Sequence, residues 1–446
     1  MEKHNFAAYK AGTFSIDISN LEVGDKFFKP KDMPAFMHEY CHYIQDITTI
    51  SSIFGFSLWL RDVVALTQVF SNGEGGTMSI PLERDEYGET INKHRKFYNL
   101  YSGNPKDVFD IDYSKTKFLN RHFKVNDIDL DGNTYKLGIN EVEIAGRHNK
   151  LFFGLIVLQE IQAFYAQQLA EKKLEGEFFS IYSKNLPTYP YKFGDFLFEE
   201  FQIQMDLETK FILIDLCLDT VQATSVFFEV LEKLKGQTIS YWGEDKADLI
   251  TIVEECRLLC SHSNDVALEH ILPDLEMWSK DPSRKYLSEA IEWYVNQLKL
   301  TIGLKKITSK TFFSLPFAMS WENFAVFYAL YAPPIFIKNG VFYRSFSESE
   351  QWQEKEFIKN FEAASTIWSH RILYDLLCSE NIEQIKKNCK CPLYDSCPAR
   401  SKIGEDYICK TTPWEIIKGK NKAECQYGMA VHSFGLWQND LKIEIK

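Results

Sequence analysis

A helical repeat of large apolar residues near the start of the chain constrains the fold most. The repeat predicts an α-helix, because side chains three and four positions apart share one helix face. Asp32 is suited to the N-cap of this helix, and Pro34 to its first turn, where a missing N–H costs little. We therefore expect a helix that docks on a core through the following residues: Phe36, Tyr40, Tyr43 and Ile47.

The side of this helix away from the apolar face carries a possible metal site in the segment His38-Glu39-Tyr40-Cys41-His42. Residues four apart share a helix face, so His38 and His42 can direct imidazole nitrogens at one ion. Glu39 lies beside them, where its carboxylate can take a proton from a water that a metal has acidified. The spacing predicts two zinc ligands and a general base on one helical turn.

This segment resembles the HExxH motif of the zincin metallopeptidases, matched by His38, Glu39 and His42. The resemblance implies that the two histidines bind zinc and that Glu39 activates water. It covers this helix and one other helix. The metzincin branch is excluded, because Gln45 and Thr48 stand where its extension requires Gly and His.

The third metal ligand is expected on a later helix. The gluzincin branch of the zincins takes this ligand from a glutamate, and Glu160 resembles that pattern. Glu160 also follows an apolar run at residues 152–158, where a buried carboxylate needs a compensating charge such as a metal. The alternatives are that Glu160 pairs with a Lys or Arg, or that another carboxylate is the ligand: Glu199, Glu200, Asp215 or Asp219.

Other residues near the motif have roles that the sequence leaves open. Asp46 lies one turn past His42, where it can orient the imidazole or face water. Cys41 is expected to be an inert buried thiol, because a catalytic zinc keeps one coordination position open. A side chain that stabilises the oxyanion is also expected, and His148 and Tyr165 are candidates.

Two regions of the first half have β patterns. Phe14, Ile16 and Ile18 alternate with polar residues, which favours a half-buried strand. Residues 73–146 are rich in Gly and Asp and predict an irregular, partly β insertion. In it, a hairpin is expected where residues 128–130 meet residues 135–137 across Asp-Gly-Asn.

From residue 149 onward, the spacing of apolar residues is mainly helical. The fold is therefore predicted as mainly α (α+β), with a zincin-like catalytic core, a β-containing insertion, a helical second half and a small Cys-rich C-terminal module. The expected helices are 151–173, 196–220, 221–235, 246–260, 288–304 and 321–331. The predicted regions are 1–210 (catalytic, with the insertion at about 73–146), 211–380 (helical) and 381–446 (Cys-rich).

Five of the ten cysteines crowd into the last sixty residues or so. In a reducing compartment, such crowding favours metal binding over disulfides. Cys391, Cys397, Cys409 and Cys425 are predicted to hold a second, structural metal, since four thiolates leave no open position. The metal can be zinc or an iron–sulfur cluster, and separate packed thiols are the alternative.

Charge and hydropathy set expectations for partners and location. The chain has 50 Lys and Arg against 62 Asp and Glu, so nucleic acid is not expected as a partner. The N-terminus lacks the pattern of a secretory signal, and no apolar stretch was expected to reach the roughly 20 residues that span a bilayer. A cytoplasmic protein without a membrane association is predicted, and no oligomeric state follows from the sequence.

The predicted function is that of a zinc metallopeptidase that hydrolyses amide bonds in a protein or peptide substrate, with Glu39 as general base. One alternative is a toxin or defence effector protease that acts on one specific protein. Another is a non-catalytic helical scaffold that binds metal. A diiron carboxylate bundle is a weaker rival, because it needs a second Glu-x-x-His copy and the sequence has none.

Overall fold

Helices make up most of the structure, with small sheets among them, which confirms the mainly α (α+β) class. The computed structural model describes residues 7–22, 28–72, 77–80, 96–103, 109–112, 116–130, 133–145, 150–174, 186–244, 246–260, 264–331, 333–339, 341–343, 355–378, 391, 394, 406–411, 425–434 and 442–445.

The labelled elements follow in chain order. The helices are α1 (Met33–Thr48), α2 (Ile50–Asn72), α3 (Leu155–Lys173), α4 (Phe193–Glu200), α5 (Leu207–Leu218), α6 (Ala223–Leu234), α7 (Lys246–Cys260), α8 (Asn264–Trp278), α9 (Lys285–Ile307), α10 (Leu315–Ala318), α11 (Trp321–Leu330), α12 (Lys355–Leu377), α13 (Asp406–Thr411) and α14 (Gln426–Ser433). The strands are β1 (Ala8–Lys10), β2 (Ser15–Asp17), β3 (Thr77–Ile80), β4 (Phe118–Leu130), β5 (Asn133–Ile144), β6 (Leu151–Phe153), β7 (Gln204–Met205), β8 (Thr238–Ile239), β9 (Ile335–Lys338), β10 (Val341–Tyr343) and β11 (Lys442–Ile445).

The most extensive helix–helix contact in the described chain joins α1 to α3. Both helices are buried over most of their surface, so neither presents a polar face to water. The aromatic face of α1 packs on the opposite side, where the Tyr40 ring lies 5.8 Å from Phe317 and 5.6 Å from Phe324. The helix with the HExxH segment is thus enclosed between α3 and the aromatic residues of α10 and α11.

A four-stranded sheet has the order β1-β2-β9-β10 and joins distant parts of the chain. β2 is antiparallel to β1 and parallel to β9, with Ile16 opposite Phe336. Both of these side chains are fully buried, so the sheet is fixed through its core-facing residues. β1 lies at one edge of this sheet, next to α1.

The predicted hairpin in the insertion is confirmed. β4 and β5 pair antiparallel, with Ile128 opposite Tyr135 and Leu130 opposite Asn133. The register leaves residues 131–132 between the two strands. The hairpin is longer than predicted and continues into β6.

The start of the helix predicted at residue 151 is wrong. Leu151–Phe153 forms a strand that pairs with β5, and the helix begins at Leu155. Gly154 connects this strand to the helix. A glycine is needed there because a Cβ would lie 2.5 Å from the Cα of Gly103. A short apolar run has no periodicity that separates strand from helix.

The single helix predicted for residues 196–220 is also wrong. α4 ends at Glu200, a left-handed residue follows at Gln202 (φ 57°), and β7 comes before α5. Asp206 caps α5 by accepting a hydrogen bond from Thr209 N at 2.7 Å. Apolar residues run through the whole segment, so its hydrophobic pattern hides this break.

Within the described residues, one helix meets the length and composition of a membrane span, although the sequence was expected to contain none. It is the segment Ile50–Thr67 of α2, and 83% of it is buried inside the fold. A buried core helix meets the same criteria, so this segment is explained by its packing. The cytoplasmic location stays a prediction.

Candidate metal centre

α1 begins at Met33 with Pro34 in its first turn, as the sequence predicted. Asp32 occupies the N-cap position, but its side chain makes no capping bond to the helix. It instead accepts a hydrogen bond from Glu22 N at 2.8 Å. The helix start is therefore held by the preceding loop.

Three possible metal ligands from α1 and α3 converge at one point. His38 Nε2 lies 3.2 Å from Glu160 Oε2, and His42 Nε2 lies 3.6 Å from the same oxygen. One donor atom from each of the three residues lies within 4.8 Å of the other two. No other group of three or more His, Cys, Asp or Glu residues in the described chain is arranged in this way.

The two distances from Glu160 Oε2 to the histidine nitrogens are compatible with a shared zinc ion. Tetrahedral coordination with bonds of about 2.0–2.1 Å separates two ligand atoms by about 3.3 Å, close to both measured distances. The side chains of His38, His42 and Glu160 are only 9%, 14% and 22% exposed, so the cluster is largely shielded from water. Two imidazoles and one carboxylate also form a donor set that catalytic zinc uses.

The charges of the cluster complement each other. Burial raises the pKa of Glu160, but the neighbouring His42 and His38 outweigh this effect, so the pKa of Glu160 lies well below the usual range. Burial lowers the pKa of His42, but the charge of Glu160 outweighs this effect and raises that pKa to about 9. The carboxylate thus stabilises a positive charge between the rings, which is where a cation would bind.

Glu39 is held by the N-terminal strand. Its Oε2 accepts a hydrogen bond from Tyr9 N at 2.7 Å, and the Tyr9 ring is stacked near His42 with centroids 6.3 Å apart. One carboxylate oxygen of Glu39 is therefore oriented by β1. This contact depends on the tertiary structure, and no local sequence signal indicates it.

Asp46 has a role that the sequence did not predict. Its Oδ2 accepts hydrogen bonds from Tyr9 OH at 2.7 Å and from Gly12 N at 2.6 Å. It therefore fastens the N-terminal hairpin to α1. The acceptor for the His42 ring is instead Gln45, whose Oε1 lies 2.8 Å from His42 Nδ1.

Tyr191 is a site residue that sequence reasoning missed. Its ring centroid lies 5.8 Å from that of His38, in the loop before α4. Burial, together with the negative charges of Glu160 and Glu39, raises the pKa of its phenol. The phenol therefore stays protonated and can act as a hydrogen-bond donor. With 22 tyrosines in the chain, no pattern in the sequence distinguishes this one.

Of the two residues that the sequence offered for oxyanion stabilisation, Tyr165 is the one that the structure describes, and it does not take this place. Tyr165 is fully buried and donates a hydrogen bond to Asp195 Oδ1 at 3.0 Å. His148 lies outside the described residues. Cys41 is buried, and burial raises the pKa of its thiol, as expected for an inert cysteine.

The alternative carboxylates are not part of the cluster. Glu199 is exposed on α4. Each of the other three bonds elsewhere: Glu200 Oε2 to Phe118 N (2.8 Å), Asp215 Oδ1 to Gln162 Nε2 (3.3 Å) and Asp219 Oδ1 to Lys305 Nζ (2.9 Å).

The predicted metal site in the tail is only partly within the described residues. Cys391 N donates a hydrogen bond to Cys409 O at 2.7 Å, so these two residues are neighbours. Cys425 lies at the N-cap of α14, where its Sγ accepts from Gly428 N at 3.1 Å. Cys397 lies outside the described residues, and the tail metal stays a prediction.

The chain was also compared with other proteins. Comparison with models of protein families, with curated proteins and with solved structures gave no match. The chemistry of the site is that of its own residues: His38, Glu39, His42, Glu160 and Tyr191.

Proposed function

We propose that this protein is a zinc-dependent hydrolase, a metallopeptidase of zincin type with Glu160 as the third ligand. The observation that carries the proposal is the position of Glu160. Its carboxylate reaches both His38 Nε2 and His42 Nε2 from a separate helix, at the separations that zinc requires. Burying a carboxylate costs free energy unless a positive charge compensates it, so two unrelated surface histidines would not be expected to share a buried carboxylate.

The side chains around the cluster match the parts of a hydrolytic site. When bound, zinc supplies a Lewis acid that lowers the pKa of water toward neutrality and polarises a carbonyl group. His38, His42 and Glu160 would hold the ion and leave one position open. Glu39 would take the proton from the attacking water and pass it to the leaving amine, with one oxygen oriented by Tyr9 N.

Tyr191 would stabilise the negative charge that develops on the substrate oxygen. Its phenol stays protonated next to two carboxylates, so it can donate a hydrogen bond. It lies beside His38, on the part of the site that comes from the loop before α4. A fixed donor in a largely buried site contributes more than the same donor in water.

A peptide is the substrate class that the surroundings favour. β1 is an edge strand of the four-stranded sheet, and its Tyr9 contacts both Glu39 and His42. A strand at a sheet edge can pair with an extended peptide through main-chain hydrogen bonds, and Ala8 of β1 is exposed. A peptide that pairs with this edge would lie next to the proposed general base, where Tyr9 N is itself already bonded to Glu39.

The test combines metal analysis with one isosteric variant. Purified protein is expected to bind zinc at the cluster and to cleave peptides in a mixed library, read by mass spectrometry. In Glu39→Gln, zinc should remain, while turnover falls at least about a hundredfold, because a general base is lost. The amide oxygen of Gln can still accept a hydrogen bond from Tyr9 N, so the variant should keep the fold of the wild type.

Two results would contradict the proposal. A wild-type protein without zinc at the cluster would exclude the metal site. Zinc binding with no cleavage of any peptide, or with no effect of Glu39→Gln, would favour the non-catalytic metal-binding scaffold.

A further inference from the structure

His42 is held from its far side by a chain of buried polar groups that crosses from α1 to α3 and α5. Gln45 Oε1 lies 2.8 Å from His42 Nδ1, and Gln45 Nε2 donates to Gln162 Oε1 at 2.7 Å. Gln162 Nε2 in turn donates to Asp215 Oδ1 at 3.3 Å. Gln45, Gln162 and Asp215 are all buried, so water does not compete for these bonds.

The orientation of the Gln45 amide follows from counting its donors and acceptors. Its two N–H groups are both used, one by Gln162 Oε1 and one by Gln159 O at 3.1 Å. A flipped amide would set its oxygen against these two acceptors. The oxygen of Gln45 must therefore face His42, and it can only accept a hydrogen bond there. His42 Nδ1 must be the donor.

The Gln162 amide is fixed in the same way. Its oxygen accepts from Gln45, and its nitrogen faces Asp215 Oδ1, which accepts a hydrogen bond. Asp215 thus orients Gln162, and Gln162 orients Gln45. This series of hydrogen bonds ends at Asp215 on α5. The packing of three helices therefore sets the tautomer of His42.

His38 has no such support. Its Nδ1 is buried without a hydrogen-bond partner in the described part of the chain. The two histidines of the cluster are therefore unequal, and the ring of His42 is the one that is fixed in place.

We infer that Gln45 is a positioning residue that keeps the proton on His42 Nδ1 and so presents the lone pair of His42 Nε2 to the metal. This inference rests on the proposed zinc site and adds to it a residue that carries no charge. A hydrogen bond to the outer nitrogen fixes both the tautomer and the ring angle of a ligand histidine.

The test measures the zinc affinity of the full chain by competition with a chelator, beside the melting temperature. Gln45→Met keeps the volume but removes the acceptor, and zinc affinity should fall by about tenfold to a hundredfold. Gln45→Glu keeps an acceptor for His42 Nδ1–H, and its zinc affinity should stay near that of wild type even if its melting temperature drops. Comparison of the two variants then separates an effect on zinc affinity from an effect on folding stability.

Gln167→Met is the matched control. Gln167 is equally buried on α3, and its amide donates to Glu171 Oε1 at 3.4 Å, away from the cluster. This variant should lose stability but keep zinc affinity. If Gln45→Met does not fold, Gln162→Met should still lower zinc affinity by roughly tenfold or less, since it loosens the Gln45 amide.

The outcomes distinguish this inference from the proposed function. Wild-type zinc affinity in Gln45→Met, or an equal loss in Gln45→Glu and Gln45→Met, would overturn the role of Gln45 and leave the zinc site intact. A wild-type chain that binds no zinc would overturn both.

Discussion

Glu160 Oε2 lies 3.2 Å from His38 Nε2, although 122 residues separate the two side chains in the sequence. The packing of α3 on α1 brings them together and buries most of both helices. A carboxylate in such a place is stable only with a positive partner, which here is a protonated ring or a metal.

Glu160→Gln is expected to lower zinc affinity more than about a hundredfold, because the variant keeps the volume of the ligand but removes its charge. The measurement is zinc affinity by chelator competition, with melting temperature on the same sample. Glu199→Gln, at an exposed glutamate that the sequence offered as an alternative ligand, is the control and should bind zinc normally. Normal zinc binding by Glu160→Gln would show that Glu160 is not the ligand.

Tyr191→Phe is expected to lower kcat by about a hundredfold without changing zinc content, because it removes only a donor to the substrate oxygen. Steady-state kinetics on a cleaved peptide, together with metal analysis, measure both quantities. Tyr165→Phe removes a buried phenol that bonds to Asp195, so it should change stability and leave kcat nearly unaltered. Equal effects of the two variants on kcat would count against a catalytic Tyr191.

Cys409→Ser is expected to remove a second metal and to leave the first in place, because Cys409 belongs to the predicted tail site. Elemental analysis counts the metals, and a brown colour would identify the second one as an iron–sulfur cluster. Cys260→Ser, at a half-buried cysteine of α7, is the control. A wild-type protein with a single metal equivalent would refute the tail site.

His370 predicts a pH dependence of stability that is unrelated to the metal cluster. Burial lowers the pKa of His370 to about 4, and its Nδ1–H donates to Thr366 O at 2.7 Å. In the unfolded chain the pKa is about 6.5. Between these two pH values, His370 binds a proton in the unfolded state but not in the folded state. The contribution of neutral His370 to folding stability is therefore complete above about pH 6.5 and is lost as the pH falls.

The loss amounts to about 3 kcal/mol in the free energy of unfolding by pH 4. Chemical denaturation of wild type and His370→Gln at pH 7 and at acidic pH measures it, since the variant lacks the titrating group. The stability of wild type should fall more steeply than that of the variant. Parallel pH profiles would show that His370 does not titrate in this way.

Local patterns determined the parts of the structure that depend on near neighbours in the chain. The spacing of His38 and His42 sets two imidazoles on one helix face, and α1 is helical there. The Asp-Gly-Asn sequence between two apolar segments likewise predicted the hairpin pairing of β4 and β5. In both cases a few consecutive residues contain the whole signal.

The same local patterns failed where the preferred structure depends on a distant partner. Leu151–Phe153 is a strand because β5 lies beside it. An apolar run fits a strand or a helix equally well until its neighbour is present. Tertiary contacts therefore overrode the helical pattern at residue 151.

For the candidate site, the sequence by itself determined the two histidines, Glu39 and a short list of carboxylates that includes Glu160. Only the tertiary structure decided that Glu160, and not Asp215, lies between the histidines. It alone revealed Tyr191 and Gln45. The physical reason is that helical spacing fixes distances within one turn, whereas distances between helices depend on how their buried faces pack.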